Sequence, residues 1–299
     1  MIDFHYAKLE EKAAVDAILA KTKEKACEYC FANMYAWVES YNTEIAFVDG
    51  CITAEYADGV YLFPVGGDVR AAILHLREFA DSEGVPFILV CMSEENARLL
   101  EELFPGEYEI REERDSFDYL YSAEKLATLA GRKLSKKRNH IHHFEQQQSD
   151  WSFEPLSESN IPEALEMDEK WFETELLYDG SSTLRGDNTA LHRCLKNFEV
   201  LGLDGAVLRV DGKVVAFTAG SLMQHGEVFV THFEKAFDSI DGSYAMINRE
   251  FAKYIHEKYP SVQYINREDD LGIPGLRQAK MTYYPELLLS KFSAVPKVR

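Results

Sequence analysis

The sequence is short of positive charge. Its 299 residues carry 32 basic against 51 acidic side chains, a formal charge of −19 with histidine neutral. Such a surface repels phosphate backbones and anionic head groups, so extended, unassisted binding to DNA or to a membrane face is disfavoured. No apolar run approaches the roughly 20 residues that cross a bilayer. The start, Met1-Ile2-Asp3-Phe4-His5, lacks the basic-then-apolar order of a secretory signal, and a soluble cytoplasmic protein is expected. Cysteine is scarce and odd in number, five in all, so free thiols are the expectation. Cys27 and Cys30 form one C-x-x-C with no second pair, which leaves zinc without half its ligands. His140, His142 and His143 do not supply them, because helical neighbours point about 100° apart. No metal is expected. Low-complexity linkers and short repeats are also missing. Apolar material is plentiful, with 46% hydrophobic and 12% aromatic residues, which excludes global disorder and allows one large domain or two of about 150 residues.

The two halves read alike in element order. In the first, residues 13–21 and 26–39 suit helices. Strand-like runs at 44–48, 51–56 and 60–65 are then separated by Asp49-Gly50, Asp58-Gly59 and Gly66-Gly67 turn signals. A helix at 69–82, a buried strand at 85–91, a helix at 95–104 and an extended run at 108–121 follow. In the second half, helices at 161–172 and 188–198 precede strands at 205–210, 213–222 and 227–235, with Asp211-Gly212 a hairpin signal. A helix at 244–258, a strand at 262–266, a short helix at 274–282 and a strand around 286–292 complete it. The pattern is two copies of one α/β unit, divided as residues 1–122, a basic connecting helix at 123–150, and residues 151–299. The first domain is expected to be mainly structural.

The connecting segment reads as one long helix over 123–147. Leu126, Ala130, Leu134, Ile141 and Phe144 form one stripe on it, with Lys137 in the middle and Lys133 and His140 beside it. Either lysine stems run along an apolar face, or Lys133, Lys137 and His140 turn into a cavity between the domains to meet an anionic group. Arg132, Lys133, Lys136, Lys137 and Arg138 make the one concentrated positive patch, suited to the terminal phosphates of a tRNA acceptor end.

Three segments together resemble a known family. They are residues 119–144, with the run Leu129-Ala130-Gly131-Arg132-Lys133-Leu134-Ser135-Lys136-Lys137-Arg138-Asn139-His140; Thr231-His232-Phe233-Glu234-Lys235-Ala236; and Asn266-Arg267-Glu268-Asp269-Asp270 continuing to Lys280. They resemble stand-alone relatives of the C-terminal domain of phosphatidylglycerol lysyltransferase, over nearly the whole chain. The resemblance implies an α/β (α+β) fold of tandem GNAT-type acyltransferase domains, each a mixed, mostly antiparallel sheet flanked by helices. It is similar also to Fem-type enzymes that take an amino acid from aminoacyl-tRNA.

Acyl transfer needs a proton acceptor for the nucleophile and donors where the carbonyl oxygen gains charge. On the strand 227–235, strict alternation puts His232 and Glu234 on one face, where His232 would be the general base and Glu234 its orienting partner, or His232 a satisfied core histidine. Arg267, Glu268, Asp269 and Asp270 stand at the carboxyl end of the strand 262–266, the usual ligand side of an α/β sheet. Adjacent carboxylates raise one another's pKa, could bind an ammonium, or could simply cap the following helix. Arg277 and Lys280 could hold a phosphate or carboxylate, and Tyr283 or Tyr284 could reprotonate a leaving oxygen. Between the strand and the next helix, Phe237-Asp238-Ser239-Ile240-Asp241-Gly242 has one glycine and two aspartates, a poor cradle for the pyrophosphate of coenzyme A. The expectation is an acyltransferase acting on a small amine or hydroxyl acceptor, with aminoacyl-tRNA or acyl-CoA as donor. The alternatives are an acetyl-CoA-dependent N-acetyltransferase and a binding protein without turnover.

Overall fold

The structure is a computed structural model describing residues 2–176 and 182–297. Helices α1 (Lys12–Leu19), α2 (Phe31–Ala36) and α3 (Val38–Tyr41) precede a meander of β1 (Glu44–Val48), β2 (Cys51–Ala57) and β3 (Val60–Leu62). Then come α4 (Val69–Glu83), β4 (Ile88–Met92), α5 (Glu94–Leu103), β5 (Tyr108–Glu112), β6 (Asp118–Ser122), α6 (Ala123–Thr128) and α7 (Ser135–Gln147). The second run is β7 (Trp151–Pro155), α8 (Ile161–Leu176), α9 (Ser182–Lys196), α10 (Phe198–Leu201), β8 (Leu203–Val210), β9 (Lys213–Leu222), β10 (Val228–Ala236), α11 (Ser243–Lys258), β11 (Tyr264–Asn266), α12 (Pro274–Met281), β12 (Leu287–Leu289) and β13 (Phe292–Pro296).

Local chemistry accounts for many of these boundaries. Asp49-Gly50 and Asp211-Gly212 hold left-handed φ at both turn positions, the geometry that matches a tight hairpin to strand twist. The side chains of Asp68, Ser93 and Ser122 accept backbone N–H groups at the starts of α4, α5 and α6, satisfying donors that a helix start leaves unpaired.

The expected long helix is broken. Leu129 takes a left-handed φ of 48° and Gly131 one of 92°, so α6 stops and α7 restarts after a 3-10 turn at Arg132–Leu134. The Arg138 guanidinium donates to the carbonyls of Leu129 and Gly131 and fastens the break. The expected helix at 26–39 likewise starts only at Phe31, leaving Cys27 and Cys30 in an irregular segment ahead of it.

The sheets also differ from a simple tandem. One runs β1-β2-β3-β4-β13-β5 and the other β12-β6-β11-β10-β9-β8-β7. Strand β13, from the C-terminal end, is paired antiparallel between β4 and β5. Strand β6, from before residue 123, lies between β12 and β11. The extended run at 108–121 is therefore two strands in different sheets, and so is the one around 286–292. Each sheet borrows a strand from the other half of the chain. One apolar core accordingly joins α1, α2, β1 and β4 to the near face of the second sheet at Val207, Phe217, Val230 and Phe233. A second core lies on the far face, under α6, α7 and α11.

Candidate active site

Strands β10 and β11 pair in parallel only over Val228–Val230 and Tyr264–Asn266. Beyond that β11 ends while β10 continues to Ala236, so the two part at the carboxyl end of β11, where α/β sheets bind ligands. At the parting, β10 carries a bulge: Thr231 faces Gly220 and Phe233 faces Ala219, leaving His232 as the extra residue. A Cβ on Gly220 would come within 2.0 Å of the Val230 carbonyl oxygen, so glycine is required beside the bulge.

The bulge changes which side chains share a face. His232 points between the sheets. Its Nδ1 lies 2.9 Å from Glu268 Oε1, and its Nε2 lies 2.9 Å from Ser221 Oγ and 3.9 Å from Cys30 Sγ. Glu234 points to the far face, where Oε1 accepts from Arg267 at 2.7 Å and Oε2 from Asn248 at 3.1 Å. The pairing of His232 with Glu234 expected from strict alternation is thus replaced by His232 with Glu268.

Two side-chain turns spread the acidic run in different directions. The Asn266 side-chain Oδ1 accepts the Glu268 N–H at 2.7 Å, with Glu268 left-handed at φ 56°. Asp270 accepts the Gly272 N–H at 3.0 Å. Asparagine and aspartate favour such turns because they imitate a backbone acceptor. Glu268 therefore reaches His232. Asp270, fully buried, is held by Arg277 at 2.7 Å and Arg114 at 3.2 Å and by the Tyr119 hydroxyl. Although burial would raise its pKa, Arg277 and Tyr119 hold the carboxyl well below the usual range, so it stays ionised and committed. Lys280 donates to the carbonyls of Arg267 and Asp269 and staples this loop instead of facing a ligand.

Asp269 and His232 are shifted in ways that suit proton transfer. Burial, against Lys291 and together with Asp118, Glu28 and Glu268, raises Asp269 to about 7. For His232, burial alone would lower the imidazole, but Cys30 and the hydrogen-bonded Glu268 overcome it and raise it to about 10. At neutral pH His232 is therefore a cation donating from both ring nitrogens, and Asp269 is the group that titrates. Expecting His232 as the resting general base does not fit this electrostatic environment.

Behind the acids lies a buried network that the sequence did not reveal. The Lys291 ammonium sits 2.7 Å from Asp118 and from Glu28 and 3.6 Å from Cys27 Sγ. Asp118 also accepts from the Cys27 N–H and from Asn266, each at 2.8 Å. Cys27, Glu28 and Asp118 bring ligand-type atoms within 4.8 Å of one another, but the tethered ammonium of Lys291 occupies the place of a cation among them. The C-x-x-C was the only linear sign of this region. Ser221, Lys291 and Asp118 carried none, because strands from three chain regions bring them together.

The remaining candidates fall elsewhere. Lys137 is half-buried with its ammonium 3.9 Å from the Tyr283 ring centroid. Burial and Arg267, against Glu234, lower it to about 8. It thus belongs with Arg267 and Glu234 on the far face, not with the acids beside His232. Burial, opposed by Arg267, pushes Tyr283 up to about 12. Lys133 lies over the exposed Tyr284 ring, and His140 is exposed 3.5 Å from Asp241. Neither turns into a cavity between the sheets. Hollows of about 400 Å³ at Cys91, Arg111 and Lys291 and about 500 Å³ at Tyr6, Tyr35 and Arg193 include neither His232 nor residues 267–270.

The family described as phosphatidylglycerol lysyltransferase, C-terminal, matches residues 19–295. The chain belongs to this family. Within the lysyltransferase C-terminal family's fold, a crystal structure of a conserved protein of unknown function from Bacteroides thetaiotaomicron superposes with a TM-score of 0.92 and 38% identity, covering 99% of this chain and 100% of that one. The C-terminal domain of a candidate lysylphosphatidylglycerol synthetase from Agrobacterium fabrum superposes at 0.67 with 14% identity, covering 97% and 93%. The same fold is seen in FemX, at a TM-score of 0.61 with 10% identity over 97% and 96% of the chains, and in a tandem GNAT protein from the clavulanic acid biosynthesis pathway, at 0.51 with 9% identity over 100% of both. An uncharacterized protein of Mycoplasmoides gallisepticum is 25% identical over 181 residues, 59% of this chain, and the chain spans about 55% of that curated relative. Among the described residues no helix is long and apolar enough to cross a membrane.

Where coenzyme A-dependent members of a GNAT fold would hold pyrophosphate, at the start of α11, this family member packs helix on loop. A Cβ on Gly242, at φ 83°, would meet the His140 carbonyl oxygen at 2.5 Å and the Phe144 Cβ at 3.0 Å. Helix α7 therefore lies against that loop.

Proposed function

We propose that the chain transfers an aminoacyl group from aminoacyl-tRNA to an amine or hydroxyl acceptor in the opening between β10 and β11. The observation that supports it is that two groups beside Glu268 are both raised, Asp269 to about 7 and His232 to about 10. Near neutrality such a pair offers one group able to accept a proton and one that still holds its own. Asp269 takes the proton from the acceptor as it attacks the acyl carbon. The His232 imidazolium, oriented by Glu268, returns a proton to the departing ester oxygen as the carbon–oxygen bond breaks. Ser221 fixes the ring from its other side. Asp269, Asp187 and Glu268 all act on the Tyr41 hydroxyl, and this negative lining suits the ammonium of an aminoacyl group. Helix α7 lying against the Gly242 loop favours aminoacyl-tRNA over acyl-CoA.

The test incubates the chain with aminoacyl-tRNAs and, separately, acyl-CoAs, in the presence of amine and hydroxyl acceptors, and reads acyl products by mass spectrometry. The expected product comes from aminoacyl-tRNA and disappears in His232→Ala and Asp269→Asn. Turnover from acyl-CoA alone would replace this reading with an acetyltransferase-type one. Ligand binding without any product would reduce the chain to a binding protein.

A further inference from the structure

A nucleophile lies unused in the gap between the sheets. Cys30 Sγ is 3.9 Å from His232 Nε2, and His232 Nδ1 is 2.9 Å from Glu268 Oε1. The carboxylate therefore holds the ring nitrogen that faces away from sulfur. A thiol, an imidazole and an acid in that order form a nucleophile, its proton carrier and an orienting group, a constellation recognised by geometry and not by spacing in the chain. The three residues come from the segment before α2, the bulge of β10 and the loop after β11. No linear motif announces them.

One buried anchor holds both ends of this arrangement. Asp118, fully buried, accepts the Cys27 N–H and a side-chain N–H of Asn266, each at 2.8 Å. Asn266 also donates to the Lys25 carbonyl at 2.9 Å, and its Oδ1 accepts the Glu268 N–H at 2.7 Å. The segment carrying Cys30 and the loop carrying Glu268 are thus tied to each other behind His232, the kind of support that keeps reacting groups within reach. The Cys30 sulfur lies 3.3 Å from the Cys27 carbonyl oxygen, which ties it to the same turn. Burial pushes the thiols of Cys27 and Cys91 well up, Cys194 to about 12 and Cys51 to about 11. Cys30 is the thiol that stands beside an imidazolium, the usual partner of a catalytic thiolate. Ser221 Oγ is nearer to Nε2, at 2.9 Å, but an alkoxide is too basic to persist beside an imidazolium at neutral pH.

We propose that Cys30 is an acyl-carrying nucleophile, so that transfer runs in two halves through a thioester. The proposal deepens the transferase reading and rests on it. In the first half the Cys30 thiolate attacks the acyl carbon of the aminoacyl ester. The carbon–sulfur bond forms, the ester carbon–oxygen bond breaks, and the His232 Nε2 proton goes to the departing oxygen. In the second half the amine or hydroxyl of the acceptor attacks the thioester and Asp269 takes its proton. The carbon–sulfur bond breaks with its electron pair returning to sulfur. Asp269 then releases its proton to water and His232 takes one up, which restores the starting charges. Splitting one displacement into two lets donor and acceptor occupy the gap in turn. It also gives the first half of the chain, expected to be mainly structural, a part in the chemistry.

The test incubates the full chain with aminoacyl-tRNA and no acceptor, quenches in acid, and maps acyl mass onto tryptic peptides. One aminoacyl group is expected on Cys30, removed by neutral hydroxylamine and absent in His232→Ala. Transfer should fall about a hundredfold or more in Cys30→Ala, with melting temperature unchanged. The adduct needs no variant, so it decides the matter even if Cys30→Ala fails to fold. Acyl mass on Ser221, or transfer that survives Cys30→Ala, overturns the covalent step and leaves the transferase reading standing. If no donor yields product in the parent, the transferase reading fails instead. Alkylation by iodoacetamide at pH 7, in which sulfur displaces iodide, then decides Cys30 without any donor. Cys30 should react ahead of the other four cysteines, and about tenfold more slowly in His232→Ala. Faster alkylation at another cysteine, or a rate indifferent to His232, overturns its role as nucleophile.

Discussion

Replacing Asp269 with asparagine removes a carboxyl that the fold makes reluctant to ionise, so its effect on stability has a calculable pH profile. The ordinary value is 3.8 and the folded value about 7. Between those limits the folded state holds a proton that the unfolded state has released, so stability falls as pH rises through the window and levels off above about 7. At about 1.4 kcal/mol per pH unit, the raised pKa costs the fold at most about 4 kcal/mol at pH 8 and about 1.5 kcal/mol at pH 5. The asparagine variant avoids that cost while keeping the volume. Its gain over the parent, measured by urea unfolding, should widen by about 2–3 kcal/mol between pH 5 and pH 8. Transfer should be lost in the variant at every pH, while the parent's rate climbs as pH rises towards 7. An equal gain at pH 5 and pH 8 would refute the raised pKa, and an active variant would refute the role of Asp269 as proton acceptor.

Other changes separate chemistry from scaffolding. His232→Ala should lower transfer about 10²–10⁴-fold, the usual worth of a positioned acid, and Glu268→Gln should move the pH profile of activity because it deprives the imidazolium of its partner; single-turnover rates across pH would show both. Glu234→Ala should cost about 3–5 kcal/mol in urea unfolding by leaving the buried Arg267 unpaired, and intact stability with lost activity would place Glu234 in the chemistry instead. Lys291→Met should lower stability by a similar amount through the bare Asp118 and Glu28 carboxylates, with the loss read as a single cooperative transition if the two sheets unfold together. Gly242→Ala should destabilise the chain by forcing a left-handed alanine against α7, seen as a lower melting temperature.

The sequence made some parts of this architecture legible and hid others for physical reasons. Strands β1, β2, β8 and β9 were readable because alternation and Asp-Gly turns are local signals. The sheet to which β6 and β13 belong was not, because strand pairing across the chain leaves no periodicity in either partner. The break at Leu129 was hidden by an apolar stripe that survives it, since Leu126, Leu134, Ile141 and Phe144 remain buried on either side. In the site, the acidic run after β11 stood out as four consecutive charges, and the structure gives each a separate task. His232 was visible too. Its partner was not, because a single bulge reverses facing, and an alternation rule applied across Thr231 and Phe233 has no way to register the extra residue. The side to which Lys137 turns was not legible either: an apolar stripe allows a lysine to lie along it or reach inward, and only the fold puts its ammonium over Tyr283 near Arg267 and Glu234.

The borrowed strands bear on how the polypeptide is made. During synthesis the N-terminal sheet must wait, with β4 and β5 unjoined, until the stretch at Phe292–Pro296 has left the ribosome. A nascent chain stalled before that stretch would present two hungry strand edges and the uncovered carboxylates of Asp118 and Glu28, making it a natural client for chaperones and proteases until Lys291 and β13 arrive.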